Sequence, residues 1–434
     1  MAISSVLETL RHPFVFRTLN DELASYPGKP FQVRLWNGTT WGTTGDPKFT
    51  LVVNNSEALR RLFVDPTEIG LGEAYIAGDF DVEGDMEAAF ELGDYLLDRS
   101  KAPHLSPASL PLILFDKVHS HEEPMVGMQR TQLHGPVHSR NRDVQAIRYH
   151  YDLPPEFFEL WLDPRMLYSC AYFSNGDKTD LDAAQDSKLE YIAKKLRLQA
   201  GEHLLDIGCG WGGLIVYAAE HYGVQAHGVT LSLRQAEVAR KRIHDAGLDG
   251  QCRVDVCDYR DIESGQQFDK IVSIGMFEHV GEALLPEYFR QVWQLLREGG
   301  AFLNSGIASS LSYSQRKGPS FNDRYVFPDG ELVPISKSLG VAESTGFEVR
   351  DVESLREHYA LTLRQWLRRL EARSGKAREI TDEATYRIWR LYMAGSEHWF
   401  RTGIINLYQT LLVKPRHGES GMPLTRADWY GPHC

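Results

Sequence analysis

The segment Leu204-Leu205-Asp206-Ile207-Gly208-Cys209-Gly210-Trp211-Gly212-Gly213 constrains the fold more than any other stretch of this chain. An apolar run closes on an acidic residue, and glycine then recurs at alternate positions. A helical pattern opens at Leu214, Ile215, Tyr217, Ala218 and Ala219. Glycine admits positive φ and lets a ligand lie directly on bare backbone. The segment therefore reads as a buried strand, a side-chain-free turn and a helix N-terminus. Its G-x-G-x-G spacing is neither that of dinucleotide binders nor that of phosphate loops, and no lysine follows to hold a triphosphate. A lone turn of this kind can also be purely structural, so its flanks decide the reading.

Downstream, strands alternate with helices. Gln225–Ser232 reads as a second strand entering a helix from Arg234, and Arg253–Val256 as a third. Phe268–Met276 is a fourth, ending in Phe277-Glu278-His279-Val280; a helix over Pro286–Arg297 leads to a fifth at Ala301–Ser305. Upstream, helices are expected at Pro155–Leu162, with proline at its start, and at Leu181–Leu196. This alternation predicts an α/β fold with a doubly wound parallel sheet. Ligands of such sheets bind beyond the carboxyl ends of the strands, which gathers Gly208, Thr230, Asp258 and Glu278 on one edge.

At 434 residues the chain exceeds one ordinary core, so a second, smaller domain is expected. Residues 1–100 supply it as an N-terminal α+β domain, with strands at Phe31–Trp36 and Phe49–Val53, a turn at Asn37-Gly38 and a short helix over Ser56–Phe63. Residues 101–141 lose periodicity among scattered prolines and histidines and read as a linker; residues 142–434 form the main domain. The histidine spacings match no common metal site, and no metal is expected. The linker's apolar piece Leu112–Phe115 is too short to span a bilayer. A net charge of −12 argues against a nucleic-acid binder. Five cysteines without paired spacing suggest reduced thiols in the cytoplasm.

Among the gathered residues, no acid closes the second strand, so Thr230 and Gln235 would hold a nucleoside's hydroxyls. Asp258-Tyr259 could hold its base. Glu278, where an apolar strand ends, is either a desolvated base or a helix cap. Aromatic residues crowd the region from Phe321 to Tyr408 and fit either a core or an apolar tunnel. Arg364, Arg368, Arg369, Arg373, Lys376, Arg378, Arg387 and Arg390 form either a solvated helical face or an anionic-headgroup site.

Seven segments, in order, carry a resemblance: Tyr149–Asp152, Tyr168–Phe173, Leu205–Gly213, Gly228–Ser232, Asp258–Asp261, Ser273–Gly281 and Tyr325–Gly330. Together they resemble the cyclopropane-fatty-acyl-phospholipid synthases and their mycolic-acid relatives over roughly residues 145–410, and Gly72-Glu73-Ala74-Tyr75 resembles the extra domain of the bacterial members. The resemblance implies a class I, Rossmann-like methyltransferase sheet using S-adenosylmethionine. It implies cofactor contacts at Tyr168, Ser169, Asp206, Gly208, Cys209, Gly210, Gly212, Thr230, Leu231, Ser232, Gln235, Asp258 and Tyr259. Phe173, Phe277, Phe327, Tyr392 and Phe400 would line an acyl-chain tunnel. An alkene would take up the methyl group, and a bound bicarbonate near Cys170, Glu278 and Tyr359 would remove the proton that closes a ring. Phospholipid acyl chains at the inner membrane face, peripheral association and a homodimer are implied as well.

One departure stands out. The usual members carry His-Thr-Ile after the fifth strand, where this chain reads Asn304-Ser305-Gly306-Ile307. Asparagine cannot become cationic. Asn304 and Gly306 are therefore expected at the reaction site with weaker anion binding, or with a different base or product. Two alternatives stay open: a lipid methyltransferase giving a methyl-branched or methylene product without ring closure, and a non-catalytic lipid-binding protein.

Overall fold

In the computed structural model of this chain, Leu204, Leu205, Asp206 and Ile207 are buried in the middle of a seven-stranded sheet. The structure describes residues 15–17, 19–23, 25–28, 30–63, 66–99, 133–263, 265, 267–311 and 320–430. Most of the expected linker, including Leu112–Phe115, lies outside the described residues, as does Cys434. By their internal contacts the described residues divide into two units. One draws on Met1–Arg130, Pro319–Tyr325 and Asp382–His398, the other on Thr131–Gly318, Val326–Thr381 and Trp399–Cys434.

The first unit contains β1 (Phe31–Arg34), β2 (Thr40–Gly42), β3 (Phe49–Val53), α1 (Ser56–Phe63), α2 (Glu68–Ile76), β4 (Phe80–Gly84) and α3 (Met86–Arg99). Its sheet has the order β2-β1-β3-β4, with β1 and β3 parallel. The Asn37-Gly38 turn forms as expected: Gly38 takes φ +83°, and the Leu35 amide donates to the Thr39 carbonyl at 2.9 Å. Gly72 of α2 has a packing reason to be glycine, because a Cβ there would lie 2.4 Å from the Phe321 ring. Glu73 Oε1 accepts from Arg324 and from the Tyr325 hydroxyl, both at 2.8 Å, and the Tyr75 hydroxyl accepts from Arg390 at 2.8 Å. These contacts draw two late segments of the chain into this unit. The boundaries read from the sequence, 1–100, 101–141 and 142–434, were continuous and missed that return.

The second unit begins with α4 (Arg140–Tyr151), α5 (Pro155–Glu159) and α6 (Leu181–Leu196). Then come β5 (His203–Ile207), α7 (Gly213–Tyr222), β6 (Gln225–Thr230), α8 (Leu233–Asp245), β7 (Cys252–Val256), β8 (Phe268–Ile274), α9 (Leu285–Leu295) and β9 (Leu296–Ser309). It closes with α10 (Ile335–Thr345), β10 (Glu348–Ser354), α11 (Arg356–Ala372) and β11 (Ile405–Val413). The strand order is β10-β11-β9-β8-β5-β6-β7. The five expected strands are parallel neighbours, and β11 adds on antiparallel to β9. The order reverses between β5 and β8, which places the switch point beside Gly208 and Glu278.

The two faces of the sheet are distinct. Leu303 and Leu411 pack with Leu189 and Leu196 of α6, whereas Phe302 and Leu412 pack with Tyr288 and Phe289 of α9. Side chains alternate along each strand, and cross-strand partners share a face. No described helix is long and apolar enough to cross a membrane.

Candidate active site

The glycine turn leaves β5 with Gly208 at φ +86°, Gly210 at +52° and Gly212 at +82°. The amides of Gly208 and Cys209 both donate to the Val229 carbonyl at 3.0 Å, which clamps the turn against β6. A Cβ on Gly208 would meet Met276 at 2.9 Å, and one on Gly212 would meet Ala239 at 3.0 Å. A Cβ on Gly210 would meet nothing within 4 Å, because that position faces the open cleft. Two glycines thus serve packing, and the third keeps the backbone bare for a ligand.

The cleft above this turn is lined by nearly all the expected cofactor residues: Tyr168, Ser169, Asp206, Gly208, Cys209, Gly210, Thr230, Leu231, Gln235, Asp258 and Tyr259. Gly212 and Ser232 stand behind it. Ser232 caps α8, its hydroxyl accepting from the Gln235 amide at 3.3 Å. The Thr230 hydroxyl donates to Gln235 Oε1 at 2.8 Å, so the Gln235 amide nitrogen is the donor left to the cleft. Asp258 is not a free acceptor. Arg260 grips both its oxygens, at 2.8 and 2.5 Å, and also reaches Asp143 at 2.7 Å.

His150 fixes Tyr168. Its Nδ1 lies 2.9 Å from the Val326 carbonyl, which can only accept, so Nδ1 carries the proton. Burial pushes the imidazolium down to about 3, leaving a neutral ring whose Nε2 accepts from the Tyr168 hydroxyl at 3.2 Å. The Tyr168 ring continues into an aromatic wall. Trp366 lies 5.2 Å from it, Tyr359 6.0 Å from Trp366, and Phe400 4.7 Å from Tyr359.

At the far end of the switch point, Glu278 is only 9% exposed. Its Oε1 accepts from the Ile307 amide at 2.7 Å, and its Oε2 has no hydrogen-bond partner among the described residues. Burial pushes this carboxyl up to about 7, against the opposing pull of the Ile307 amide. A chain of contacts brings Cys170 to the same edge. Ile307 pairs with Leu407, the Leu407 carbonyl accepts from the Leu355 amide at 2.9 Å, and Cys170 Sγ lies 3.8 Å from the Leu355 carbonyl. Burial pushes the Cys170 thiol up to about 12, so it stays a neutral donor rather than a nucleophile.

Asn304 is buried in β9. Its Oδ1 accepts from the Tyr288 hydroxyl at 2.9 Å, so its side chain lies on the α9 face. The residue on the α6 face, where Gln185 of α6 fastens the Tyr168–Phe173 segment through the Ser169 carbonyl at 3.0 Å, is Ser305. Beside Ser305 lies its cross-strand partner Gln409, whose Oε1 is buried without a partner. Gly306 lies against the neighbour of Glu278: a Cβ there would meet Phe277 at 3.0 Å, and the amide that reaches Glu278 belongs to Ile307. Neighbouring residues of a strand point to opposite faces, so Asn304 and Ser305 meet different surroundings.

The rings expected to line a tunnel each have neighbours of their own. Phe277 packs in the core against Tyr288, Phe327 stacks on His150 at 4.0 Å, and the Phe173 amide donates to His358 Nδ1. Phe400 lies on Tyr359, and Tyr392 sits beside Trp389 in the first unit. The arginine cluster is dispersed. Arg369 donates to the Leu162 carbonyl and Asp182, whereas Arg387 and Arg390 hold Asp81 in the first unit. Sequence reading missed Lys188, a buried cation lining the cleft, because one lysine among three on α6 (Lys188, Lys194 and Lys195) carries no mark. It missed Gln409 because β11 itself was unread.

The sequence model described as mycolic acid cyclopropane synthetase matches residues 138–410, well over half of the chain. The chain belongs to this family. A domain of unknown function matches residues 18–93. This member of the mycolic acid cyclopropane synthetase family is 40% identical over 405 residues to a probable fatty acid methyltransferase of Pseudomonas putida, covering 92% of this chain and 96% of that one. It is 33% identical over 395 residues to the tuberculostearic acid methyltransferase UfaA1 of Mycobacterium tuberculosis, covering 89% and 88%. Among solved structures it resembles the mycolic acid cyclopropane synthase CmaA1 complexed with SAH and CTAB, at 34% identity and a TM-score of 0.59 over 62% of this chain and 97% of that one. It is a methyltransferase dependent on S-adenosylmethionine. The bare backbone at Gly210, the Gln235 donor and the buried Asp206 fit that cofactor.

Proposed function

We propose that this methyltransferase acts on a cis double bond of an unsaturated, phospholipid-borne fatty acyl chain at a membrane surface, closing the added carbon into a cyclopropane ring. The single observation carrying this reading is Glu278 at the sheet's switch point: a buried carboxyl pushed up to about 7, with one oxygen on the Ile307 amide and the other without a hydrogen-bond partner among the described residues. The names of the relatives, fatty acid methyltransferases of nearly the same length, support a fatty acyl substrate.

When bound, S-adenosylmethionine supplies an electrophilic methyl group. The alkene's π pair would form the new bond to that carbon as the carbon–sulfur bond breaks and its electron pair returns to sulfur, so that the positive charge passes to the acyl chain. The faces of Tyr359, Trp366 and Phe400 stabilise such a cation through their quadrupoles. Glu278 Oε2 then accepts a proton from the added methyl, and the freed C–H pair closes the ring. Bicarbonate, the base that the resemblance implies, finds poor support here. The Asn304 oxygen is occupied by the Tyr288 hydroxyl, Cys170 is a neutral thiol, and Glu278 already offers an oxygen that can take the proton. Glu278 is therefore the base in this reading.

The second reading keeps the methyl transfer but draws the proton from a neighbouring carbon, giving a methyl-branched or methylene product. Ser305 on the α6 face favours it, since an uncharged hydroxyl there exerts less control over where the proton is taken. Purified protein, S-adenosylmethionine and vesicles of cis-unsaturated phospholipid provide the test. A gain of one CH2 that resists mild hydrogenation is the expected result. A gain that hydrogenates away supports the second reading, and no gain overturns both.

A further inference from the structure

Helix α11 carries a hydroxyl inside its aromatic stripe. Tyr359, Thr362, Leu363 and Trp366 are buried at helical spacing, so Thr362 stands one turn from Tyr359 and one turn from Trp366 on the same face. Its hydroxyl has one hydrogen, and the His358 carbonyl, which can only accept, takes it at 2.7 Å. The same oxygen accepts from the Ala171 amide at 3.0 Å. One turn earlier on α11, His358 Nδ1 accepts from the Phe173 amide at 2.9 Å, and its ring stacks on Tyr172 with centroids 4.8 Å apart. The amide between these two, that of Tyr172, donates instead to the Ala184 carbonyl of α6 at 3.0 Å. Residues 170–173 form no helix or strand of their own, so their buried amides depend on these outside acceptors.

We infer that Thr362, with His358 one turn before it, is a positioning residue for the methyl transfer, fixing the aromatic wall of α11 against the segment that runs out of the cofactor cleft. This rests on the function proposed above. The segment starts at Tyr168 and Ser169, which line the cleft, and reaches the Thr362 hydroxyl two residues later at Ala171. Cys170 lies between the two points. Burial pushes its thiol up, and the Lys188 charge and the Thr362 hydroxyl oppose that push, so Thr362 also acts on the sulfur. The methyl donor and the rings that would face the cation therefore belong to different elements, and those elements are fastened to one another at Thr362. Displacement by about 1 Å is enough to slow a positioned reaction roughly a hundredfold. Ala171 is 1% exposed, and without the hydroxyl its amide would be a buried donor lacking an acceptor, which pushes the segment off α11.

The test measures turnover on vesicles of cis-unsaturated phospholipid, together with calorimetric affinity for S-adenosylhomocysteine, in wild type, Thr362→Val and Thr362→Ser. Valine keeps the volume and loses the acceptor; serine keeps the hydroxyl and loses a methyl group. Thr362→Val is expected to lower kcat roughly ten- to a hundredfold while S-adenosylhomocysteine affinity stays near wild type. Thr362→Ser is expected to recover most of the lost kcat. A wild-type kcat in Thr362→Val, equal losses of kcat and affinity, or a serine variant no better than the valine one overturns the inference. Should Thr362→Val not fold, a second pair of variants decides. His358→Asn keeps an acceptor for the Phe173 amide, whereas His358→Phe keeps a ring on Tyr172 without one. The asparagine variant must turn over faster, and equal rates refute the docking of the segment on α11. Wild type that binds S-adenosylhomocysteine but leaves the lipid unchanged overturns the proposed function, and the inference with it.

Discussion

The Ile307 amide donates to Glu278 Oε1 at 2.7 Å, while Oε2 of the same buried carboxylate has no hydrogen-bond partner among the described residues. One oxygen is an anchor and the other is available for chemistry. Strand β8 ends at Ile274, so Glu278 occupies the edge of β9 that β8 no longer covers.

Glu278→Gln keeps the volume and can keep the Ile307 contact, but it cannot accept the proton. Product formation, followed by mass spectrometry of lipids, is expected to fall by about 10²–10⁴-fold. S-adenosylhomocysteine affinity should stay near wild type. Retained turnover would remove Glu278 from the chemistry.

The raised carboxyl also predicts a pH dependence. If the ionised form is the base, activity rises as pH climbs through about 7. The stability effect has the opposite sign. Burial holds the folded-state value above the ordinary 4.5, so the native state binds the proton more tightly than the unfolded chain does. The favourable contribution is complete below the unfolded value and is lost as pH rises towards about 7. Thermal denaturation across that range should show wild type losing more Tm than Glu278→Gln, and parallel curves would contradict the shift.

The register of β9 separates two substitutions one residue apart. Asn304→His forces an imidazole into the packed contact with Tyr288 and should cost about 1–3 kcal/mol of stability without changing the product. Ser305→His places the ring on the α6 face and is expected to change the ratio of hydrogenation-resistant to hydrogenatable product. The reverse pattern would show that Asn304 faces the chemistry.

The three turn glycines should fail in different ways. Gly208→Ala meets Met276 at 2.9 Å at a φ of +86° and should lose stability and cofactor binding together. Gly210→Ala costs only the left-handed backbone, about 1–2 kcal/mol, but points its methyl into the cleft. Its expected signature is weak nucleoside binding by a folded protein, read by calorimetry alongside chemical denaturation.

Tyr168→Phe strips the donor from buried His150 Nε2. The orphaned nitrogen should cost about 1–3 kcal/mol in urea denaturation, with no rescue by acidification above pH 5, because the ring stays neutral down to about 3.

Local patterning was enough to read the parallel strands, the glycine turn and the acidic position that ends β8. Each is a short-range consequence of apolar runs, backbone freedom and chain direction. The resemblance placed the cofactor residues on the same edge, and they line one cleft. What the sequence left open depends on contacts between distant residues. Which face of β9 carries Asn304 is decided by the pairing of Leu303 with Leu411 and Phe302 with Leu412, and a shift of one residue turns every side chain over. Glu278 could have been a helix cap until the Ile307 amide, 29 residues away, took one oxygen and left the other bare. Lys188 looked like any lysine on an amphipathic helix, and only its burial against Ser169 sets it apart. Sequence determined the elements and their chemistry; tertiary structure decided which polar groups were desolvated and left unpaired, because desolvation depends on everything packed around a group and not on its neighbours in the chain.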